Sequence, residues 1–313
     1  MPTSAINSDV QTRDAINEMR SCIEEMEKDP LVREEKNFAQ RIDLIDFIGF
    51  GIIDRVDALL QKVGQPDQLL SLKYRAEKIK SELEAIDDQL FQKLRANIRA
   101  GKYTGNQLKE LINEYTGFNL NDKKHQQEAG YDDLDIFING IFPVQAMPEQ
   151  TKELEPGMVF YQKTPARIIL EICEIVEFTK DDVFFDLGSG LGQVVILINL
   201  LSGAKATGIE FEPAFCDYAR NCAANLNLYN VTFINNDGRK ADYSSGTIFF
   251  MYTPFTGEIL NEVLEHLRKE SLLRKIKIIT YGPCTPVVAS QSWLILEGLP
   301  NDNIYKLAVF TSL

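Results

Sequence analysis

An acid followed by three glycines at alternate positions, Asp186-Leu187-Gly188-Ser189-Gly190-Leu191-Gly192, is the stretch of this chain whose residue types and spacing best suit chemistry. The apolar pair before it, Phe184-Phe185, reads as the end of a buried strand, and Gln193-Val194-Val195 after it opens a segment of helical length. A strand, a glycine turn and a helix start place unpaired backbone N–H groups beside a turn that has no Cβ atoms to hold a ligand away. Two more acids stand where later strands should end: Glu210 in Thr-Gly-Ile-Glu-Phe-Glu, with Phe211 beside it, and Asp237 between Asn236 and Gly238. A fourth cluster, Tyr252-Thr253-Pro254-Phe255, follows another apolar run.

The glycine spacing is not the Gly-x-Gly-x-x-Gly of a dinucleotide site, and a pyrophosphate beside Asp186 would meet like charge. A ligand with an amine and no phosphate fits better, and S-adenosylmethionine is one. Glu210 can accept from both hydroxyls of a ribose, which selects a nucleoside without saying which, since NAD would satisfy it equally. Asp237 can accept from an adenine amino group. Alone, either acid would read as a solvated turn residue; three acids at consecutive strand ends make the coincidence argument.

On these motifs the segment resembles the class I S-adenosylmethionine-dependent methyltransferases. Within them, Tyr161-x-x-Thr164 and Asp-Leu-Gly-Ser-Gly-x-Gly-Gln-Val-Val are similar to the non-SET histone-lysine methyltransferases. The resemblance covers about residues 160–313. It implies that S-adenosylmethionine is the cofactor and that Tyr161, Thr164 and Gln193 help to hold it, together with Asp186, Gly188, Ser189, Gly190, Gly192, Glu210, Phe211, Asn236, Asp237 and Gly238. The chain departs from that family in having Tyr252-Thr253-Pro254-Phe255 where an Asn-Phe loop is expected, and in lacking a counterpart of the basic nucleosome-binding segment. A histone substrate therefore does not follow.

The loop Tyr252, Thr253, Pro254 and Phe255 is where an acceptor should enter, and it is the expected catalytic segment. It also loosely resembles the Asp/Asn-Pro-Pro-Tyr loop of amino-group methyltransferases, with Thr253 in the place of the acid or amide. Tyr252 and Phe255 can line a channel for a lysine-like amine through cation–π contact, or they can be packed aromatics of an ordinary turn. The leading expectation is methyl transfer to an amine, either a protein lysine or a small molecule. An in-line displacement at a sulfonium needs positioning more than acid–base chemistry, so the lack of an obvious acid–base pair is no objection. Two rivals stay open: a non-catalytic S-adenosylmethionine-binding scaffold that works through its helical part, and a dinucleotide-dependent oxidoreductase.

The elements that must position these residues follow from periodicity. From about residue 164, strands alternate with helices: strands at 183–187, 206–210, 231–235, 247–252 and 275–280, then a late pair at 293–297 and 305–311 expected to run antiparallel. This is a Rossmann-like α/β sheet of seven strands whose strand-end loops share one edge. Residues 1–125 read as a helical domain and 126–159 as a connector free to fold over the pocket. A stripe from Leu69 to Ile98 marks one long helix stopped at Gly101, and a stripe from Phe38 to Val63 marks its antiparallel neighbour across Gly64-Gln65-Pro66. The helical domain reads either as a docking or homodimerisation module or as a cover for one face of the second domain.

Composition narrows the partners. Of 313 residues 44% are apolar and 25% charged, as in ordinary globular chains, and no apolar run approaches membrane-spanning length. The net charge of −13 is divided −9 over residues 1–155 and −4 over 156–313, so neither part has the basic excess of a nucleic-acid binder. Five cysteines without a Cys-x-x-Cys pair, and an N-terminus without signal-peptide features, suit a reducing cytoplasmic compartment. Only His125 and His266 are present, far apart, which disfavours a zinc site or a His-based triad.

Overall fold

The computed structural model describes residues 3–62, 66–119, 132–143 and 146–313. The domain boundary expected at 125, His125, Tyr131, Val63 and the turn at Gly64-Gln65 lie outside the described residues. The chain divides into two compact units, Met1–Leu94 with Asn113–Gly117, and Arg95–Ile112 with Phe118–Leu313. Among the described residues no helix is long and apolar enough to cross a membrane.

The first unit is helical. It contains α1 (Thr3–Lys28), α2 (Phe38–Asp46), a π-helical stretch (Phe47–Ile53), α3 (Asp54–Leu60) and most of α4 (Pro66–Arg99). The expected stripes are its core: Ile48, Ile52 and Val56 meet Leu69, Leu72, Ala76, Ile79 and Leu83, with Met19 and Ile23 from α1. The pairs Asp57–Lys73 and Arg41–Asp87 show the antiparallel course, since one number rises as the other falls. Arg41, fully buried, donates to Asp87 at 2.7 Å and to the carbonyls of Val32, Glu34 and Glu35. The π-helical stretch was not expected, because the apolar spacing runs on through it; Gly49 and Gly51 occupy it. Gly101, at φ +72°, ends α4 as expected.

The second unit begins with the end of α4 and, after α5 (Asn106–Thr116, part of which belongs to the first unit), continues through α6 (Asp133–Ile141) and α7 (Ala166–Ile175). Helix α6 lies in the stretch expected to be a connector, and a capping box sits at its start: Asp132 accepts from the N–H groups of Leu134 and Asp135, and Asp135 accepts from that of Asp132. The other oxygen of Asp135 accepts from the N–H of Ala166, so one carboxylate serves the starts of α6 and α7.

The sheet follows: β1 (Val183–Leu187), α8 (Gln193–Ser202), β2 (Lys205–Glu210), α9 (Pro213–Asn225), β3 (Val231–Asn235), β4 (Ile248–Met251), α10 (Gly257–Ser271), β5 (Lys277–Thr280), a short α11 (Thr285–Ala289), β6 (Leu294–Leu296) and β7 (Ala308–Ser312). The strand order is β3-β2-β1-β4-β5-β7-β6. Strands β1 to β5 are parallel, with Asp186 beside Gly208 and Phe250, and β7 runs antiparallel to both β5 and β6. The late antiparallel pair is as expected. The central strands are nearly continuous apolar runs because helices cover both faces of a parallel sheet. Phe184, Phe185, Phe249 and Phe250 are buried there, and the strand-end loops of β1, β2, β3 and β4 are left at one edge.

Candidate active site

A single cavity at the carboxyl edge of β1 to β4 collects nearly all the expected residues. Tyr161, Thr164, Asp186, Gly188, Ser189, Gln193, Glu210, Phe211, Asn236, Asp237, Gly238, Tyr252, Thr253, Pro254 and Phe255 line it. Gly190 and Gly192 do not; they shape the turn behind it. Gly190 lies at φ +51°, its N–H donates to Glu210 at 2.7 Å, and the Tyr161 ring occupies the space that a Cβ there would fill. Gly192, at φ +84°, faces Phe233 and Ala219, so the start of α8 packs tightly on the sheet. At Gly188, φ +79°, a Cβ would strike Pro254, which joins the glycine turn to the loop after β4.

The β1–β2 side of the cavity holds polar groups without partners. Ser189 Oγ and both side-chain polar atoms of Gln193 are buried with no hydrogen bond among the described residues. Such groups cost roughly 1–3 kcal/mol each unless something else satisfies them. Asp186 is 3% exposed, and burial, with the Glu210 carboxylate adding to it, pushes its carboxyl up to about 8. Glu210 is also raised by burial, although its two oxygens accept from the N–H groups of Gly190 and Glu212, both at 2.7 Å. Each oxygen keeps lone-pair capacity toward the cavity.

Asp237 is differently placed. Arg239 grips its carboxylate with Nε and Nη2, the latter at 2.5 Å, and also reaches Glu155 at 2.6 Å. The guanidinium holds the Asp237 carboxyl below the ordinary carboxylate range. The sequence reading of Asp237 did not include this partner.

The loop after β4 is closely held. Thr253 lies at φ +42°, in a region that a β-branched residue rarely adopts. Its hydroxyl donates to the carbonyl of Tyr281 at 3.4 Å and accepts from the N–H of Cys284 at 3.0 Å. Phe255 is buried, and the Tyr252 ring packs on that of Tyr281, centroids 4.9 Å apart, with Tyr305 5.9 Å further on.

Residues 150–162 form a strap along the cavity that the sequence did not reveal in detail. Gln150, Leu154, Met158, Val159 and Phe160 all line it. Glu212 fastens one end by accepting from Thr151 N, Thr151 Oγ1 and Lys152 N at 2.6–2.9 Å, while also capping α9 through Ala214 N. Lys152 lies over the Phe211 ring, 4.2 Å from its centre. At the other end Val159 N donates to Pro254 O and Thr256 N to Gly157 O. Glu212 and Phe215 are lining residues that sequence reasoning missed. Glu212-Pro213 was the available signal, an acidic N-cap before a proline at the first helical position.

The antiparallel β7 between β5 and β6 separates this sheet from the 3-2-1-4-5-6 order of dinucleotide-binding folds. Residues 144–276 match the family model described as histone methylation protein DOT1. The chain carries a class I S-adenosylmethionine-dependent methyltransferase domain. This methyltransferase is 24% identical over 126 residues to a protein-lysine N-methyltransferase of Saccharolobus islandicus (strain REY15A), covering 39% of this chain and 74% of that protein. Among solved structures it is similar to an RNA methyltransferase from Salinibacter ruber in complex with S-adenosyl-L-homocysteine (22% identity, TM-score 0.37, 48% of this chain and 92% of that one). It is also similar to the putative methyltransferase yhhF from Escherichia coli (16% identity, TM-score 0.40, 48% and 89%).

Proposed function

We propose that the methyltransferase uses S-adenosylmethionine to methylate the side-chain amine of a lysine in a protein acceptor. The observation that carries the acceptor half of this reading is the aromatic wall after β4, where Tyr252 lines the cavity and is backed by the buried ring of Tyr281. Aromatic faces attract an ammonium group, and an apolar wall at the same time disfavours its charged form, easing loss of the proton that must leave before the amine can react. The name of the Saccharolobus relative and the description of the matching family support the same acceptor class.

In this reading the β1–β2 side holds the cofactor. Asp186 faces its ammonium group, which would offset the burial that raises the Asp186 carboxyl. Glu210 takes the ribose hydroxyls, the unpaired Ser189 and Gln193 supply further polar contacts, and Tyr161 and Thr164 close the upstream side. Asn236, Asp237, Gly238 and Phe211 border the adenine end, with Arg239 fixing Asp237 in place. When bound, the cofactor supplies a methyl group on a sulfonium whose charge is consumed in transfer. The work of the chain is then alignment: Pro254 against Gly188 fixes the acceptor loop to the glycine turn. Thr253 serves this by shaping the loop, and Tyr252, Pro254 and Phe255 present its surface. The five cysteines are free, which supports a reducing, cytoplasmic setting.

Transfer of a radiolabelled methyl group into fractionated lysate tests the proposal. Label in protein, recovered as methyl-lysine after hydrolysis, is the expected result. Label confined to nucleic acid or to small molecules would overturn it.

A further inference from the structure

The first unit carries a surface feature that the transfer reaction does not use. Between α1 and α2 lies an open groove floored by Met26, Val32 and Leu44 and walled by Phe47. Its rim carries Glu25, Asp29 and Asp43, and no lysine or arginine lines it. Among the described residues none of these three acids has a cationic partner; one oxygen of Asp29 accepts from the N–H of Leu31 at 2.8 Å. Arg33 donates to the backbone carbonyls of Met26 and Asp29 and pairs with Glu82, and makes no bond to the rim carboxylates.

The wall is set by the π-helical stretch. Ile48 and Ile52 stay in the core while Phe47 is 44% and Phe50 73% exposed. A Cβ at Gly51 would lie 3.0 Å from the Phe47 ring, so the ring rests against the bare glycine and is fixed as the edge of the groove. Short π-helical insertions of this kind occur often at functional sites.

We infer that this groove docks a basic amphipathic helix of the acceptor protein; the partner's role as acceptor rests on the lysine reading above. An apolar stripe would cover Met26, Val32, Leu44 and Phe47, and flanking lysines or arginines would meet Glu25, Asp29 and Asp43. A second copy of this chain is the poorer occupant. With a net charge of −13 it would bring acids against an acidic rim.

The test uses the full-length protein and a fluorescein-labelled synthetic helix with leucines at helical spacing and lysines on its remaining faces. A scrambled peptide of the same composition is the control. Anisotropy should show saturable binding that weakens as salt is raised, and at least about tenfold weaker binding of the scrambled peptide. The double variant Glu25→Lys/Asp43→Lys, altered only at exposed positions, should lose about tenfold in peptide affinity. It should also label lysate protein more slowly, while calorimetry shows unchanged affinity for S-adenosylhomocysteine. Equal peptide binding by wild type and variant, or equal binding of the scrambled peptide, overturns the groove. So does a dimer in sedimentation that the double variant abolishes. Label found only in nucleic acid or small molecules would instead sink the lysine reading, leaving the peptide result to stand for the groove alone.

Discussion

The two sides of the cavity treat their polar groups in opposite ways. On the β1–β2 side Ser189 and Gln193 are buried without partners among the described residues, and Asp186 is held away from water with the Glu210 carboxylate pushing its carboxyl further up. On the β4–β5 side the hydroxyl of Thr253 already donates to Tyr281 and accepts from Cys284, and its neighbours on the cavity wall are rings and a proline. A side left unsatisfied is built for a polar ligand that supplies the missing contacts. A side already satisfied is built to hold a shape. The contrast supports the proposed division, with the methyl donor gripped on one side and the acceptor guided on the other.

The comparison breaks most severely where the two sides touch. Gly188→Ala would drive a Cβ into Pro254 at a φ of +79°, displacing both the glycine turn and the acceptor loop. Methyl transfer should fall by at least about a hundredfold, since misalignment of about 1 Å costs that much. Single-turnover assays with near-normal thermal unfolding would check it. Next in size, Glu210→Ala should remove the two charge-assisted contacts proposed to the cofactor, about 3 kcal/mol or roughly a hundredfold in affinity by calorimetry. Unchanged affinity would remove Glu210 from the gripping side.

Asp186→Asn probes the same side through pH. The Asp186 carboxyl titrates at about 8 in the folded chain, well above its unfolded value. Below the unfolded value both states are protonated and the group costs nothing. As pH climbs toward 8 the unfolded chain has already released its proton, so stability contributed by the protonated form is progressively lost. Affinity for a cationic ligand moves the other way, rising with pH until about 8. Both slopes should shrink in Asp186→Asn, measured as melting temperature and dissociation constant across that range.

Tyr252→Ala should lower the transfer rate about tenfold, the loss of one aromatic contact to the amine, and leave affinity for the cofactor within about twofold. A parallel loss of cofactor affinity would show that the two sides are not separate. The smallest effect sharpens the contrast from within the guiding side: Thr253→Val keeps the shape and strands the N–H of Cys284. It should cost about 1–3 kcal/mol of stability in denaturant titration, with cofactor affinity unchanged.

The sequence made the gripping side legible because each of its acids follows a strand that can be recognised by its apolar run, and parallel topology brings such ends together. Asp186, Glu210 and Asp237 converge for that reason. The strap was not legible: Gln150, Leu154 and Met158 sit in irregular backbone whose ties, Glu212 to Thr151 and Gly157 to Thr256, are distant in sequence and leave no period. Helix α6 was missed for another reason. Its 9 residues bury Leu134, Phe137, Ile138 and Ile141, but an Asn-Gly pair near its end reads as a turn, and only the Asp132–Asp135 box marks its start. The π-helical stretch escaped because Ile48, Ile52 and Val56 keep ordinary helical spacing across it.

The shared carboxylate of Asp135 has a mechanical consequence. It closes the first turn of α6 and the first turn of α7 together, and α7 begins two residues after Thr164, which faces the cavity. A tilt or loosening of α6 therefore bears, through one side chain, on the start of α7, two residues from the threonine at the pocket wall. The helix hardest to find in the sequence is thus a lever on the site that was easiest to find.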